Sequence, residues 1–272
     1  MLEKRKIDKN ISFFFPAFND EGTVEKMVVD AIKVLESVAK DYEIIVVDDG
    51  SFDGTGKVAD EMAQRYPKVK VVHHLYNIGY GAALKTGFAT SKYELIFYTD
   101  GDHQFDPAEL TRLLPFISDY DIVSGYRAKR ADTWGRRVFS KLYNFVVLIS
   151  LGVRLRDIDC AFKLIKRKAV QSSGQYINNG AFICAELFFR ALQQRYKVKQ
   201  VPVHHYTREY GKSSSFSLFF LLRSAVELSE TVWELRLKEK VHAFRRNLQR
   251  KLFFRRLWSH GSMRRGKSKK EK

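Results

Sequence analysis

The chain has 272 residues, 45% of them apolar, and a formal net charge of +17, enough for one sizeable core or one domain plus an appendage. Two cysteines without metal-type spacing, Cys160 and Cys184, exclude a disulfide framework and a zinc site and are expected to be reduced thiols. The longest apolar runs, FVVLISLGV (145–153) and FSLFFLL (216–222), fall short of the roughly 20 residues a spanning helix needs, and the charged start MLEKRKIDKN has no apolar signal core.

Strand-like runs alternate with helix-like segments along the first half. ISFFFP (11–16) precedes a helix over 21–40, and YEIIVVDD (42–49) precedes one over 55–66. VKVVHH (69–74) precedes a helix over 82–90. YELIFYTD (93–100) precedes a helix opened by Pro107 and carrying Leu110, Leu113 and Leu114, and YDIVSG (120–125) is a fifth strand. Near-continuous apolar strands separated by helices of this length predict an α/β fold, a mostly parallel sheet covered on both faces. The second half is less regular: a helix over 136–150, a strand at AFKLIK (161–166), a helix over 181–195 and an extended VKQVPVHHY (198–206). From Phe216 on, Leu221, Ala225, Leu228, Val232 and Leu235 recur at spacings of four and three, an amphipathic helix. A second stripe, Val241, Phe244, Leu248 and Leu252, is interleaved with arginines.

In parallel sheets ligands bind at the carboxyl ends of strands, and four polar motifs fall there. YTDGDHQFDP follows the fourth strand. Asp102 and Gln104 alternate to one side, and with Asp100 they offer hard oxygen ligands suited to Mg²⁺ or Mn²⁺, completed by substrate phosphates and water. Gly101 would let a ligand approach the backbone closely. DGD alone also suits a solvated turn, with Asp106 capping the next helix. VVDDGSFDGT (46–55) places Asp49 to accept from a base or ribose and Asp53 to cap a helix. PAFNDEG (16–22) is a strand-to-helix junction with Asn19 or Asp20 as cap. NIGYGAALKTGF (77–88) lacks a P-loop lysine and suits phosphate approach and helix packing equally.

Taken in order, P-x-F-N-D-E, V-V-D-D-G-S-x-D-G-T, N-x-G-x-G-x-A-L-K-T-G and D-G-D-x-Q-x-D-P resemble a family-2 glycosyltransferase over about residues 11–215. The likeness is strongest to the polyprenyl-phosphate sugar transferases, the dolichyl- and undecaprenyl-phosphate enzymes. The resemblance implies a Rossmann-like, GT-A type nucleotide-sugar domain and an inverting hexose transfer, of mannose or glucose. By position, Pro16, Phe18, Asp20, Val47 and Asp49 would hold the base and ribose of a GDP- or UDP-linked donor. Asp100, Gly101, Asp102 and Gln104 would hold metal and diphosphate, with Asp102 and Arg127 as catalytic residues. Phe18 stands where these enzymes usually carry tyrosine, and Asp20 where they usually carry glutamate, with Glu21 beside it. Matching positions that grip acceptor phosphate would be Arg127, Arg136, Ser140 and Arg208, with Lys212 as helper.

The basic segments support that acceptor on chemical grounds. SGYRAKRADTWGRRVFSKLYN (124–144) and HHYTREYGKSSS (204–215) are cationic and each precedes apolar sequence, which suits a phosphate head on an isoprenoid tail. A phosphate dianion needs no general base. An acceptor hydroxyl would need one, and Asp159 or Glu186 is then the candidate. His73, His74, His204 and His205 read as structural doublets.

Between Lys238 and Lys272 lie fourteen Lys or Arg against two acids, Glu239 and Glu271, so the basicity is mainly a tail that suits anionic lipid. Residues 1–215 are expected to form the catalytic domain, 216–258 helices that attach to a membrane or partner, and 259–272 a disordered basic tail. The expected location is peripheral, on the cytoplasmic face of a membrane, with a membrane-spanning partner or a homo-oligomer as the other means of attachment. The remote alternative is a non-enzymatic binding protein using its tail. No nucleic-acid motif accompanies the tail, so nucleic acid is not an expected partner.

Overall fold

A computed structural model describes residues 6–130, 134–172, 174, 176–180, 182–208, 210 and 226–237, with the side chains of 129–139 outside that description. Seven strands form one sheet: β1 (Ile11–Ala17), β2 (Tyr42–Asp48), β3 (Val69–His73), β4 (Leu95–Thr99), β5 (Ile122–Arg130), β6 (Phe162–Lys166) and β7 (Val198–His205). Their order across the sheet is β3-β2-β1-β4-β6-β5-β7. The pairs β1–β2, β1–β4, β2–β3 and β5–β7 are parallel. Only β6 runs against its neighbours β4 and β5. The mostly parallel α/β sheet is therefore as expected.

The helices are α1 (Glu21–Val38), α2 (Thr55–Arg65), α3 (Tyr80–Thr90), α4 (Leu110–Leu113), α5 (Trp134–Leu151), α6 (Arg167–Gln171) and α7 (Ile183–Gln193). α1 turns Val24, Met27, Val28, Ala31, Leu35 and Val38 to the core, the three-and-four spacing of a helix covering a sheet. The expected fourth helix is shorter: α4 is one turn between 3₁₀ turns at Pro107–Glu109 and Leu114–Phe116. Pro115 lacks an N–H and cannot continue an α-helix. β5 runs on to Arg130, past its expected end, because β7 pairs with it through His205.

Aromatic rings fill the sheet's centre. Phe13 stacks on Phe97 at 5.1 Å, and Phe97 meets Phe162 edge-on at 4.8 Å. Such buried rings contribute roughly 1.5–3 kcal/mol each. In α3 the glycines pack: a Cβ on Gly87 would stand 2.2 Å from the Phe14 ring, and one on Gly81 2.6 Å from the Asn179 backbone.

The chain divides after Glu227 into two compact units. The described part of the second is helical to residue 232 and continues as a π-helical turn, Trp233–Leu237. The break expected at 215/216 and the tail beyond 237 lie outside the described residues. No helix among those residues is long and apolar enough to cross a membrane.

Candidate active site at the carboxyl end of the sheet

β1 and β2 end side by side, with Pro16 opposite Val47 in register. Both are buried, and Val47 has no exposed surface. The loops beyond them are stitched together. The Asn19 N–H donates to Ser51 Oγ at 3.0 Å, and Asn19 Oδ1 accepts from the Phe52 N–H at 3.1 Å. The Asp20 N–H donates to Thr55 Oγ1 at 2.8 Å, and its carboxylate accepts from the Phe18 N–H. Asp53, expected to cap α2, accepts from the Thr55 N–H at 2.9 Å from one residue before the cap position, which Gly54 occupies. Glu21 accepts from the Gly54 N–H at 3.1 Å, so its carboxylate is tied to the start of α2.

Asp49 is 3% exposed. Its Oδ1 accepts from the Ile78 N–H and faces His74 Nδ1 at 2.6 Å, and its Oδ2 accepts from the Gly79 N–H. The carboxylate thus pins the loop after β3 to the end of β2. His74 continues to Thr86, and His73 bridges Asp48 and Asp60. Both imidazoles are structural, as expected.

β4 delivers the Asp-Gly-Asp turn. A Cβ on Gly101 would lie 2.5 Å from the Pro16 carbonyl, so the close approach that requires glycine here is made by β1 itself. Thr23 in α1 donates to the Gly101 carbonyl at 2.7 Å. His103, at φ +57°, ends the turn and reaches Asp30 in α1 at 3.2 Å. Asp102 is 8% exposed and accepts from the Gln104 N–H at 3.1 Å. Asp100 accepts a hydrogen bond from the Tyr80 hydroxyl, while its Oδ1 is buried with no partner among the described residues. Burial, then the neighbouring Asp102 charge, pushes the Asp100 carboxyl upward.

This pair fits a divalent ion. One carboxylate oxygen is buried and unsatisfied, and a cation there would relieve both burial and mutual repulsion. Among the described residues no group of three His, Cys, Asp or Glu could hold a metal. An ion at Asp100 and Asp102 would therefore draw its other oxygens from substrate phosphates and water, as Mg²⁺ usually does. Gln104 spends its amide nitrogen on the Tyr206 carbonyl at 2.9 Å.

That last contact decides where the opposite half of the sheet enters. The Tyr206 N–H returns a bond to the Gln104 carbonyl at 2.9 Å. Two residues on, the Arg208 guanidinium sits 3.0 Å from Asp102 and 3.6 Å from Asp20. A residue expected on acceptor phosphate thus bridges two carboxylates of the donor motifs.

On the far side Arg127, in β5, makes a two-pronged pair with Asp157, both contacts at 2.8 Å. Asp159 beside it is pushed up to about 7, by burial first and then by the Asp157 charge, against the pull of Arg127 and Lys163. Ser140 is half-buried in α5. Arg136 lies in the same helix with its side chain outside the description, and Lys212 lies outside the described residues. Glu186 has no exposed surface. It accepts from the Ile177 and Asn178 N–H groups, the Asn178 amide and Arg190 Nε, and so holds the loop at 176–180. It is an anchor with its lone pairs in use.

Two residues near the acids escape sequence reasoning. Tyr80 was legible only as a ring between two glycines. Lys163, fully buried in β6, donates to the Cys160 carbonyl at 2.5 Å and lies 5.3 Å from the centre of the Tyr98 ring. Its signal was a cation set between Phe162 and Leu164 in a strand-like run.

Residues 12–174 match the family described as glycosyl transferase family 2. The chain belongs to that family. Among relatives of this family-2 chain is undecaprenyl-phosphate 4-deoxy-4-formamido-L-arabinose transferase of Edwardsiella ictaluri, 31% identical over 208 residues. That alignment covers 75% of this chain and 62% of the relative, so the chain spans under two thirds of the length of the curated relative it matches. Among solved structures, glucosyl-3-phosphoglycerate synthase of Mycobacterium tuberculosis shares the fold. Its complex with Mn²⁺, UDP and glucosyl-3-phosphoglycerate superposes with a TM-score of 0.64 at 18% identity, over 84% of this chain and 80% of that one. Its complex with Mg²⁺ and UDP gives 0.61 at 18% identity, over 84% and 79%. The GT-A type fold expected from the motifs is therefore the fold observed.

Proposed function

We propose that this family-2 chain is an inverting glycosyltransferase that moves a hexose, mannose or glucose, from a GDP- or UDP-linked donor to a polyprenyl phosphate. The observation that carries the reading is the juxtaposition at the end of β4. Asp100 and Asp102 crowd into partial burial with one unsatisfied oxygen on Asp100, and Arg208 is held against Asp102. Acids placed so suit a divalent cation, and its open coordination positions suit the oxygens of a diphosphate. The named activity of the Edwardsiella ictaluri relative supports undecaprenyl phosphate, or dolichyl phosphate by chemical likeness, as acceptor. The Mn²⁺, Mg²⁺ and UDP bound by the Mycobacterium tuberculosis synthase support a metal-dependent nucleotide donor.

Asp100, Asp102 and Gln104 would hold Mg²⁺ or Mn²⁺. When bound, the ion would supply Lewis-acid neutralisation of charge on the departing diphosphate. Pro16, Phe18, Asp20, Val47, Asp49 and Gly101 shape the donor end. Arg127 is held rigid by Asp157 with its guanidinium charged, and it acts with Arg208, Arg136, Ser140 and Lys212 to hold the acceptor phosphate in line. A phosphate oxygen forms a bond to the anomeric carbon as the bond from that carbon to the diphosphate breaks. The electron pair leaves with the diphosphate, and configuration inverts. No proton need be removed, since the acceptor is mostly dianionic at neutral pH. Residues 216–258 would attach the enzyme to the cytoplasmic face of a membrane or to a spanning partner or second copy, with the basic tail on anionic lipid.

One observation favours a second reading. Asp159, pushed up to about 7, has the proton affinity of a general base poised for an acceptor hydroxyl. The test is to incubate the full chain with labelled GDP-mannose or UDP-glucose and polyprenyl phosphate in detergent, with and without chelator. An acid-labile lipid-linked monosaccharide, lost on chelation, is the expected product. Transfer to a saccharide or lipid hydroxyl instead, lost in Asp159→Asn, favours the second reading.

A further inference from the structure

Around the ends of β1, β2 and β3 the side chains of Phe18, Phe52, Leu75, Tyr76 and Ile78 all stand in solvent. Phe52 is 85% exposed and Phe18 39%, and the two rings meet edge to face, 5.8 Å between centres at 83°. An exposed ring on a loose loop would carry no meaning, because much of any protein surface is apolar. The turn that carries Phe52 is not loose. Its own N–H is held by Asn19 Oδ1, Ser51 donates to Asp48 at 3.0 Å and receives the Asn19 N–H, and Gly54 is held by Glu21. At Gly50, φ is +69° and a Cβ would come within 2.3 Å of the Tyr76 carbonyl carbon, so the turn also lies tight on the β3 loop. A fixed scaffold therefore holds an uncovered ring at the mouth between β1 and β2. Neither Phe18 nor Phe52 has a hydroxyl, and Asp49 nearby already accepts two N–H groups and faces His74. What this corner offers a ligand is aromatic faces.

We propose that Phe52, together with Phe18, grips the donor by stacking on its nucleobase. Stacking reads the face that every base shares, and one ring is worth roughly 5- to 150-fold in affinity. This inference rests on the donor reading above, and Phe52 is a binding residue in it.

The test is calorimetry on the full chain with Mn²⁺, using UDP, GDP and inorganic pyrophosphate as probes, on the wild type, Phe52→Ala and Phe52→Tyr. Phe52→Ala is expected to weaken the tighter nucleotide by about 10-fold, Phe52→Tyr to restore it, and pyrophosphate to bind all three alike. Unchanged nucleotide affinity in Phe52→Ala overturns the proposal while leaving the donor reading intact. So does an equal loss of pyrophosphate, which would make the ring a support of the loop. A change of oligomeric state with no change in nucleotide affinity also overturns it, since the ring would then cover a second copy. A wild type that binds neither nucleotide sinks the donor reading and this inference together.

Discussion

At the ends of β1, β2 and β4 the acids Asp20, Asp48, Asp49, Asp100 and Asp102 crowd together. They are satisfied mainly by backbone N–H groups and imidazoles, with one guanidinium, Arg208, supplied from beyond β7. Beyond β5 and β6 two acids come already matched to cations, Asp157 to Arg127 and Glu186 to Arg190, while burial pushes Asp159 upward. The first region leaves a carboxylate oxygen unsatisfied, and the second spends Asp157 and Glu186 on holding cations still. The proposed function uses this difference, with a cation and a diphosphate on one side and an acceptor phosphate on the other.

The sharpest way to break this comparison is Asp102→Ala. Turnover should fall by at least about 100-fold, with the melting temperature nearly unchanged because Arg208 keeps Asp20. Near-normal turnover would show that the crowded acids serve folding alone. Next in size is Arg127→Met, which takes from buried Asp157 its two-pronged guanidinium partner. The expected cost is about 3–5 kcal/mol by urea unfolding, and adding Asp157→Leu should recover most of the stability without restoring activity. If the double variant is as active as the wild type, Arg127 only neutralises Asp157.

Glu186→Gln sharpens the contrast between anchor and base. Replacing an accepting oxygen by an NH₂ group that faces N–H donors should cost about 1–3 kcal/mol and leave kcat within a few-fold. A collapse of kcat with the fold intact would restore Glu186 as a candidate base.

The last effect has the opposite sign. Asp159 is pushed up to about 7 in the folded chain, against about 3.9 when unfolded. Between those values the folded state binds the extra proton, so stability is greatest below about pH 4 and is lost as pH rises through 7. Asp159→Asn removes the titration. In thermal melts it should match the wild type near pH 4 and exceed it above pH 7. A variant that is less stable at high pH would mean that Arg127 and Lys163 keep Asp159 ionised.

The parallel core was legible because strands buried on both faces read as apolar runs, and α1 because its apolar positions keep helical spacing. β6 was legible as a strand, but its reversed direction was not, since direction depends on where the chain re-enters the sheet. Gly101 was legible as a required glycine, although the atom that requires it, the Pro16 carbonyl, belongs to another strand. Asp49 and Asp102 were legible as acids just past buried strands. The Arg208–Asp102 pair was not: its partners lie 106 residues apart, and both had been given separate tasks.

What the amino-acid sequence determined by itself was the family, the alternation of strands and helices, and the placing of acids just past buried strands, because each is written in neighbouring residues. Only the tertiary structure decided which charges meet. It spent Glu186 on a loop, buried Lys163 between two acid motifs, and brought Arg208 to Asp102 through the paired backbones of Gln104 and Tyr206. Ion pairing depends on distance through space, and no local spacing in this chain encodes it.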